Sequence, residues 1–138
     1  TYGDDLVDHL MTGGFVIDDA GEAVPLKTLG TWAEIETTGE GFNVGLFGGY
    51  FANLGAGETV DIADPESGVN VFTRGTDIEK GIRVSPRVSY TEGRVRFAFE
   101  VSVDQATYAA GLDEEFKPSG DTESYTNIRS NFSVILFF

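Results

Sequence analysis

The sequence predicts an all-β protein, an antiparallel up-and-down barrel that spans a membrane. Three observations carry this prediction: apolar and polar residues alternate over most of the chain, short and long connections alternate, and the last strand runs to an aromatic residue. Alternation with a period of two indicates strands that have one apolar and one polar face. Tight turns on one side and long loops on the other are typical of outer-membrane barrels.

Composition bounds the classes of function. The 138 residues include 23 acidic and 9 basic ones, and the net charge of -14 opposes binding to nucleic acid through a basic patch. There is no Cys, which excludes disulfides and thiolate metal sites. No apolar run approaches the ~20 residues of a transmembrane helix, whereas a barrel strand needs only ~10. The chain begins at Thr1 without a signal peptide, so we expect a mature or truncated product.

Six segments alternate and are predicted as strands, roughly residues 9–17, 28–37, 42–53, 69–90, 94–108 and 127–138. None has an apolar stripe with the 3.6-residue period of a helix, so helix content should be minimal. The fourth and fifth are the clearest, and Gly93 between them suits the positive φ of a tight turn. Six strands are fewer than the roughly 8 of the smallest membrane barrels. We therefore expect residues 1–138 to be one segment, the C-terminal part of a larger barrel, with no second domain.

Connections of alternating length join these segments. Residues 38–41 and 91–93 are predicted as tight turns, and residues 18–26, 54–68 and 109–126 as longer loops. If the C-terminal end of the last strand is periplasmic, both tight turns fall on that side and the longer loops fall outside. Acidic residues concentrate in the longer loops, whereas most arginines lie on strands.

A membrane barrel and a soluble sandwich differ in what contacts the apolar face of their strands. In a barrel this face contacts lipid and the polar face lines a lumen. The closing strand places on its apolar face Phe132, Val134, Leu136 and Phe138. An interfacial belt of aromatic residues near strand ends favours the barrel, with the members Tyr50, Phe51, Tyr90, Tyr108, Phe137 and Phe138.

The arginines on the strands form the main candidate site. Arg83 and Arg87 lie four residues apart on one face of the fourth segment, and Arg96 on the next strand shares that side. Glu100 continues the face of Arg96, and Arg129 lies on the polar face of the last strand. Arginines fixed across a lumen from carboxylates would select solutes by charge. The alternative is a ladder of salt bridges that only stiffens the wall.

Two other groups carry weaker hypotheses. Asp61, Asp64 and Glu66 offer oxygen ligands that would suit calcium, but their spacing is not that of an EF-hand, and a solvated acidic loop is the commoner explanation. His9 is the only histidine and no Gly-x-Ser-x-Gly motif is present, so we predict no catalytic residue and no enzyme. No cofactor other than calcium is indicated.

Trp32 shares a strand face with Glu34 and Glu36, so it is expected on the lumen side. There it would serve as a platform on which a sugar stacks, or it would pack against glycines of the neighbouring strand. The sequence leaves both interpretations open and favours packing.

Several short stretches resemble the porin-like outer-membrane proteins of Bacteroidetes-type bacteria, namely residues 41–50, 53–55, 83–90, 93–98 and 127–138. Those proteins are much longer, and the chain is similar to their C-terminal part. The resemblance implies the outer membrane of a Gram-negative bacterium. We expect contact with its lipid and with barrel-assembly machinery and, because six strands are too few to close, further strands or chains that complete the barrel. The resemblance also implies passage of small solutes and carries over no catalytic residue.

Three functions follow from these observations. The first is a porin-like barrel for passive passage of small solutes. The second is a structural or partner-binding outer-membrane barrel without an open pore. The third is a soluble extracellular β-sandwich that binds carbohydrate or calcium, which would leave the cell without detergent.

Overall fold

The computed structural model describes residues 2–4, 13–60 and 71–138. The described residues form nine strands: β1 (Tyr2–Asp4), β2 (Gly13–Ile17), β3 (Ala23–Pro25), β4 (Lys27–Glu36), β5 (Phe42–Gly55), β6 (Val71–Arg74), β7 (Ile78–Glu92), β8 (Val95–Leu112) and β9 (Pro118–Leu136). No long apolar helix of the kind that crosses a membrane occurs in this part of the chain. The all-β prediction is confirmed.

The strands form two sheets. The larger sheet has six strands in the order β1-β4-β5-β7-β8-β9, with β1 antiparallel to β4 and Tyr2 opposite Leu29. The smaller sheet has the order β3-β2-β6, and both of its pairings are antiparallel. The prediction of antiparallel sheets is confirmed. Within the described ranges the larger sheet does not close on itself, because β1 and β9 are its two ends.

Two predicted segments differ from the observed strands. Of segment 9–17, residues 13–17 form β2 in the smaller sheet, and β1 takes the expected place in the larger one. Segment 69–90 is divided at Gly75, whose φ of 64° turns the chain between β6 and β7. Glycine adopts this conformation without a Cβ clash. Residues 13–17 are a strand as predicted, whereas residues 71–90 contain two strands instead of one. Alternation identifies strands but specifies neither their pairing partners nor the turns that interrupt them.

The long loop predicted at residues 109–126 is mostly strand, because β8 continues to Leu112 and β9 begins at Pro118. Apolar alternation is weak here, and polar contacts support the pairing instead. The hydroxyls of Thr107 and Ser124 are 2.9 Å apart, and the rings of Tyr108 and Tyr125 pack edge to face with centroids 5.7 Å apart. The tight turn at Gly93, by contrast, is confirmed with a φ of 58°.

The chain divides into two compact units. Unit 1 consists of Thr1–Thr31, Phe51–Gly81 and Ala106–Tyr125. Its described residues bury an apolar core against which Val24 and Val71 pack, and the core members are Val16, Leu26, Ala56, Val60 and Phe116. Unit 1 therefore has the arrangement of a water-soluble protein, with apolar side chains inside.

The turn between β8 and β9 attaches to the core of unit 1. The carboxylate of Asp113 accepts hydrogen bonds from the N–H groups of Glu115 (3.0 Å) and Lys117 (2.9 Å). This holds Phe116 at a positive φ of 56° with its side chain buried. The N–H of Ala56 donates to the carbonyl of Glu115 at 2.7 Å, which ties the turn to the end of β5.

Candidate functional site

Unit 2, which consists of Trp32–Tyr50, Ile82–Gln105 and Thr126–Phe138, has its apolar and polar faces reversed relative to a soluble protein. On β7, Val84 and Val88 are exposed, whereas the residues that follow each of them, Ser85 and Ser89, are buried, with exposed fractions of 4% and 7%. On β8, Phe97 and Phe99 are exposed by 43% and 44%. Large apolar side chains therefore lie on one, exposed face of the sheet, and the serine hydroxyls lie on the opposite, polar face.

The polar face carries ion pairs between neighbouring strands. The Nε of Arg83 on β7 donates to Asp104 Oδ1 on β8, and Arg129 on β9 donates to Asp104 Oδ2 at 2.9 Å. The hydroxyls of Ser85 and Ser102 are 2.9 Å apart one step along the same two strands. These contacts place three strands in register on their polar face. Since the triad has two arginines and one carboxylate, it carries a net positive charge.

A second group of ion pairs crosses a strand. Arg87 on β7 pairs with Glu34 (2.5 Å) and Glu36 (2.8 Å) on β4, although β5 lies between the two strands. The crossing passes over Gly45 of β5, where an added Cβ would be 3.1 Å from Arg87 Nε. The absence of a side chain at position 45 lets the arginine reach the carboxylates. This group has two carboxylates and one arginine, so its net charge is negative.

Arg96 and Glu100 on β8 form no salt bridge among the residues that the structure describes. Arg96 Nε donates to the hydroxyl of Thr91 at 3.1 Å, and its guanidinium lies 5.6 Å from the ring centroid of Phe137. Glu100 accepts a hydrogen bond of 3.2 Å from Ser102. In residues 13–60 and 71–138 neither one has an oppositely charged group within 4 Å.

A groove with a volume of about 300 Å³ lies on this polar face and is bordered by Arg87, Arg96 and Glu100. Its other lining residues are Glu36, Ser89, Ala98, Asn131, Ser133 and Ile135. They come from β4, β7, β8 and β9, so the groove crosses most of the sheet in unit 2. Charged groups of both signs therefore face one open space.

The structure brings all five candidate residues to one face of the sheet: Arg83, Arg87, Arg96, Glu100 and Arg129. It pairs Arg83, Arg87 and Arg129 with carboxylates, and Arg87, Arg96 and Glu100 line the groove. Sequence reasoning did not identify Gly45. A glycine on the polar side of β5, level with charged residues on both flanking strands, is the signal that would have indicated a crossing side chain.

The calcium candidates Asp61, Asp64 and Glu66 and the histidine His9 lie outside the described residues. Within the described ranges no cluster of three or more potential metal ligands from His, Cys, Asp and Glu is found.

The aromatic predictions have mixed outcomes. Trp32 is exposed and stacks on Phe47 of β5, with ring centroids 6.3 Å apart, so its observed partner is an aromatic ring and not a glycine. Phe51 was expected in an exposed belt but is buried in unit 1, and that prediction is wrong. In the closing strand the apolar side chains are all exposed: Phe132, Val134, Leu136 and Phe138.

Comparison of the chain with protein-family models, with curated proteins and with solved structures finds no match.

Proposed function

We propose that the chain forms part of the wall of a porin-like outer-membrane β-barrel through which small solutes pass passively. The observation that carries the proposal is the reversal of faces in unit 2. Val84, Phe97 and Leu136 are exposed on three neighbouring strands, while Arg83, Arg87 and their carboxylate partners lie on the opposite side. Hydrocarbon is the solvent in which exposed apolar and enclosed polar side chains are stable.

Strand length supports a membrane span. β5, β7, β8 and β9 contain 14, 15, 18 and 19 residues. A tilted strand crosses the hydrocarbon core with about 9–11 residues, so each of the four is long enough. The two tight turns and Phe138 all belong to unit 2, as expected if the short connections and Phe138 lie at the same end of the barrel wall.

The open edges of the larger sheet imply further strands in the membrane. An unpaired backbone N–H or C=O group costs several kcal/mol in hydrocarbon. The proposal therefore includes strands of the same polypeptide, or other chains, that pair with the free sides of the two end strands, β1 and β9, and complete the barrel. Lipid and the barrel-assembly machinery are the expected partners, no cofactor is proposed, and the location is the outer membrane of a Gram-negative bacterium.

A soluble β-sandwich is less compatible with these contacts. It would need a second layer over the side that carries Val88 and Phe99, and the described residues provide none. A barrel whose lumen is plugged is the second candidate, because a groove on the polar face is compatible with a filled lumen as well as with an open one.

Conductance in a planar lipid bilayer tests the proposal. The full-length protein should extract only with detergent and should produce discrete conductance steps in potassium chloride. Detergent extraction without conductance steps would favour the barrel that has no open pore. Release into buffer without detergent would contradict both kinds of membrane barrel.

A further inference from the structure

The charges that border the groove are not equally available to a solute. Arg87 already contacts two carboxylates, Glu34 and Glu36, at 2.5 and 2.8 Å. Arg96 and Glu100 form no salt bridge within 4 Å in the described part of the chain, although Glu100 interacts with Arg87 at longer range, and both line the groove. A solute in the groove would therefore interact most strongly with these two groups.

Arg96 is held in a position that suits a carboxylate. Its Nε is occupied by the hydroxyl of Thr91, and its guanidinium lies against the ring of Phe137. The two terminal N–H₂ groups remain, and they form the fork that binds a carboxylate through two parallel hydrogen bonds. Because two contacts already orient the side chain, little conformational entropy is lost when an anion binds.

Glu100 lies four residues along the same strand face, so its Cα is about 13 Å from that of Arg96. A solute with one negative charge would be attracted by Arg96 and repelled by Glu100, and a cation would experience the reverse. Only a solute with a carboxylate at one end and a cation at the other is attracted by both residues.

From these distances and charges, we infer that the groove binds short zwitterionic peptides, with the terminal carboxylate on Arg96 and the terminal ammonium on Glu100. The inference rests on the proposed function, for which it names the solute class. An extended peptide spans up to about 3.5 Å per residue, so two or three residues bridge the gap once both side chains reach into the groove. The volume of about 300 Å³ is large enough for a small solute of this kind.

Three peptides separate the contributions of the two ends: trialanine with free termini, N-acetyl-trialanine and trialanine amide. The full-length protein in detergent micelles is titrated with each, and the backbone amide resonances of Arg96 and Glu100 are followed by NMR. Loss of one charge-assisted contact should weaken binding about tenfold, so trialanine should bind more tightly than either blocked peptide.

Variants assign each end of the peptide to one residue. Arg96→Gln should abolish the preference for a free carboxylate, and Glu100→Gln should abolish the preference for a free ammonium. Arg96→Lys keeps the charge without the fork and should retain a weaker preference. Matched controls are Arg94→Gln and Glu40→Gln, which remove the same charges from exposed turn residues outside the groove and should leave the order of the three peptides unchanged.

Equal binding of the three peptides, or the same change in Arg94→Gln as in Arg96→Gln, would overturn the inference. Conductance of the same preparation is measured separately in planar bilayers. Conductance without discrimination among the peptides contradicts the inference and leaves the pore in place. Discrimination without conductance supports the inference and contradicts the open pore.

Discussion

The side chain of Arg87 lies directly over Gly45, and this relationship lets an arginine on β7 bind a carboxylate on β4. An added Cβ at position 45 would be 3.1 Å from Arg87 Nε and 3.2 Å from its Cγ. The guanidinium then reaches Glu36 at 2.8 Å on the far side of β5. A glycine on the middle strand thus connects charges that sheet order alone would keep apart.

Gly45→Val should uncouple Arg87 from Glu36. A branched side chain occupies the space that the arginine uses, and it removes no charge. In a double-mutant cycle with Arg87→Gln and Glu36→Gln, a partly exposed pair should show a coupling of about 0.2–1 kcal/mol, and this coupling should fall to nearly zero in the G45V background. Gly48→Val is the matched control, since an added Cβ at Gly48 has no neighbour within 4 Å. Coupling that survives G45V would show that the arginine has another route.

Neutralising Arg83 and Arg87 together should change charge selectivity more than stability. The double variant Arg83→Gln/Arg87→Gln removes two positive charges from the polar face and leaves their carboxylate partners, so permeability should shift toward cations. Asp104 keeps Arg129 as a partner at 2.9 Å, and partly exposed ion pairs contribute only about 0–1 kcal/mol each.

The measurement is the reversal potential across a planar bilayer with a potassium chloride gradient, together with a denaturation midpoint for the same preparation. Arg94→Gln is the control, because it removes a positive charge from an exposed turn. An unchanged ratio of anion to cation permeability in the double variant would reject a selectivity role and leave a purely structural ladder.

A charge on the apolar face should be costly in lipid. Phe99→Arg should destabilise the protein in vesicles by about 2–4 kcal/mol if the side chain contacts hydrocarbon near the bilayer centre. Ala98→Arg, one residue away, lies on the groove side and should cost much less. Urea unfolding from vesicles measures both. An exposed residue in water tolerates such a change within about 0.5 kcal/mol, so equal and small effects would indicate a soluble protein.

The turn that carries Phe116 should depend on Gly55. Gly55 has a φ of 70°, and an added Cβ would lie 2.5 Å from the carbonyl oxygen of Glu115. Gly55→Ala should therefore weaken the hydrogen bond from Ala56 to Glu115 and reduce the hydrogen-exchange protection of the Ala56 amide about tenfold. Gly21→Ala has a similar positive φ of 82° with no neighbour within 4 Å, so it should leave that amide protected. Equal loss of protection in both variants would indicate that the loss comes from backbone strain at a positive φ and not from the contact with Glu115.

Much of the fold could be predicted because alternation is a local property. The strands around Arg83, Phe97 and Leu136 show it clearly, and residues of one parity share a face whatever their pairing partners are. For the same reason the five candidate charges could be assigned to one side. Gly93 could be assigned to a turn from its short connection and its tolerance of a positive φ.

The remaining features depend on contacts between residues distant in sequence. Arg87 and Glu36 meet only because β4, β5 and β7 are neighbours in one register, which periodicity does not specify. The core of unit 1 takes Val60 and Phe116 from irregular segments, where no period marks a buried side. Near the end of β8, Thr107 pairs with Ser124 and Tyr108 packs against Tyr125, and contacts of these kinds leave no apolar alternation in the sequence of β9 there.

Lipid should contact the apolar face of unit 2, and a spin-label scan along β8 measures this contact residue by residue. The chain contains no cysteine, so single-cysteine variants at positions 97–102 can each carry one nitroxide in vesicles. Labels at Phe97, Phe99 and Val101 should be relaxed by oxygen dissolved in the bilayer, while labels at the alternate positions should respond to a water-soluble nickel complex. If labels at those three residues respond to neither reagent, the face lies inside a protein core and does not contact lipid.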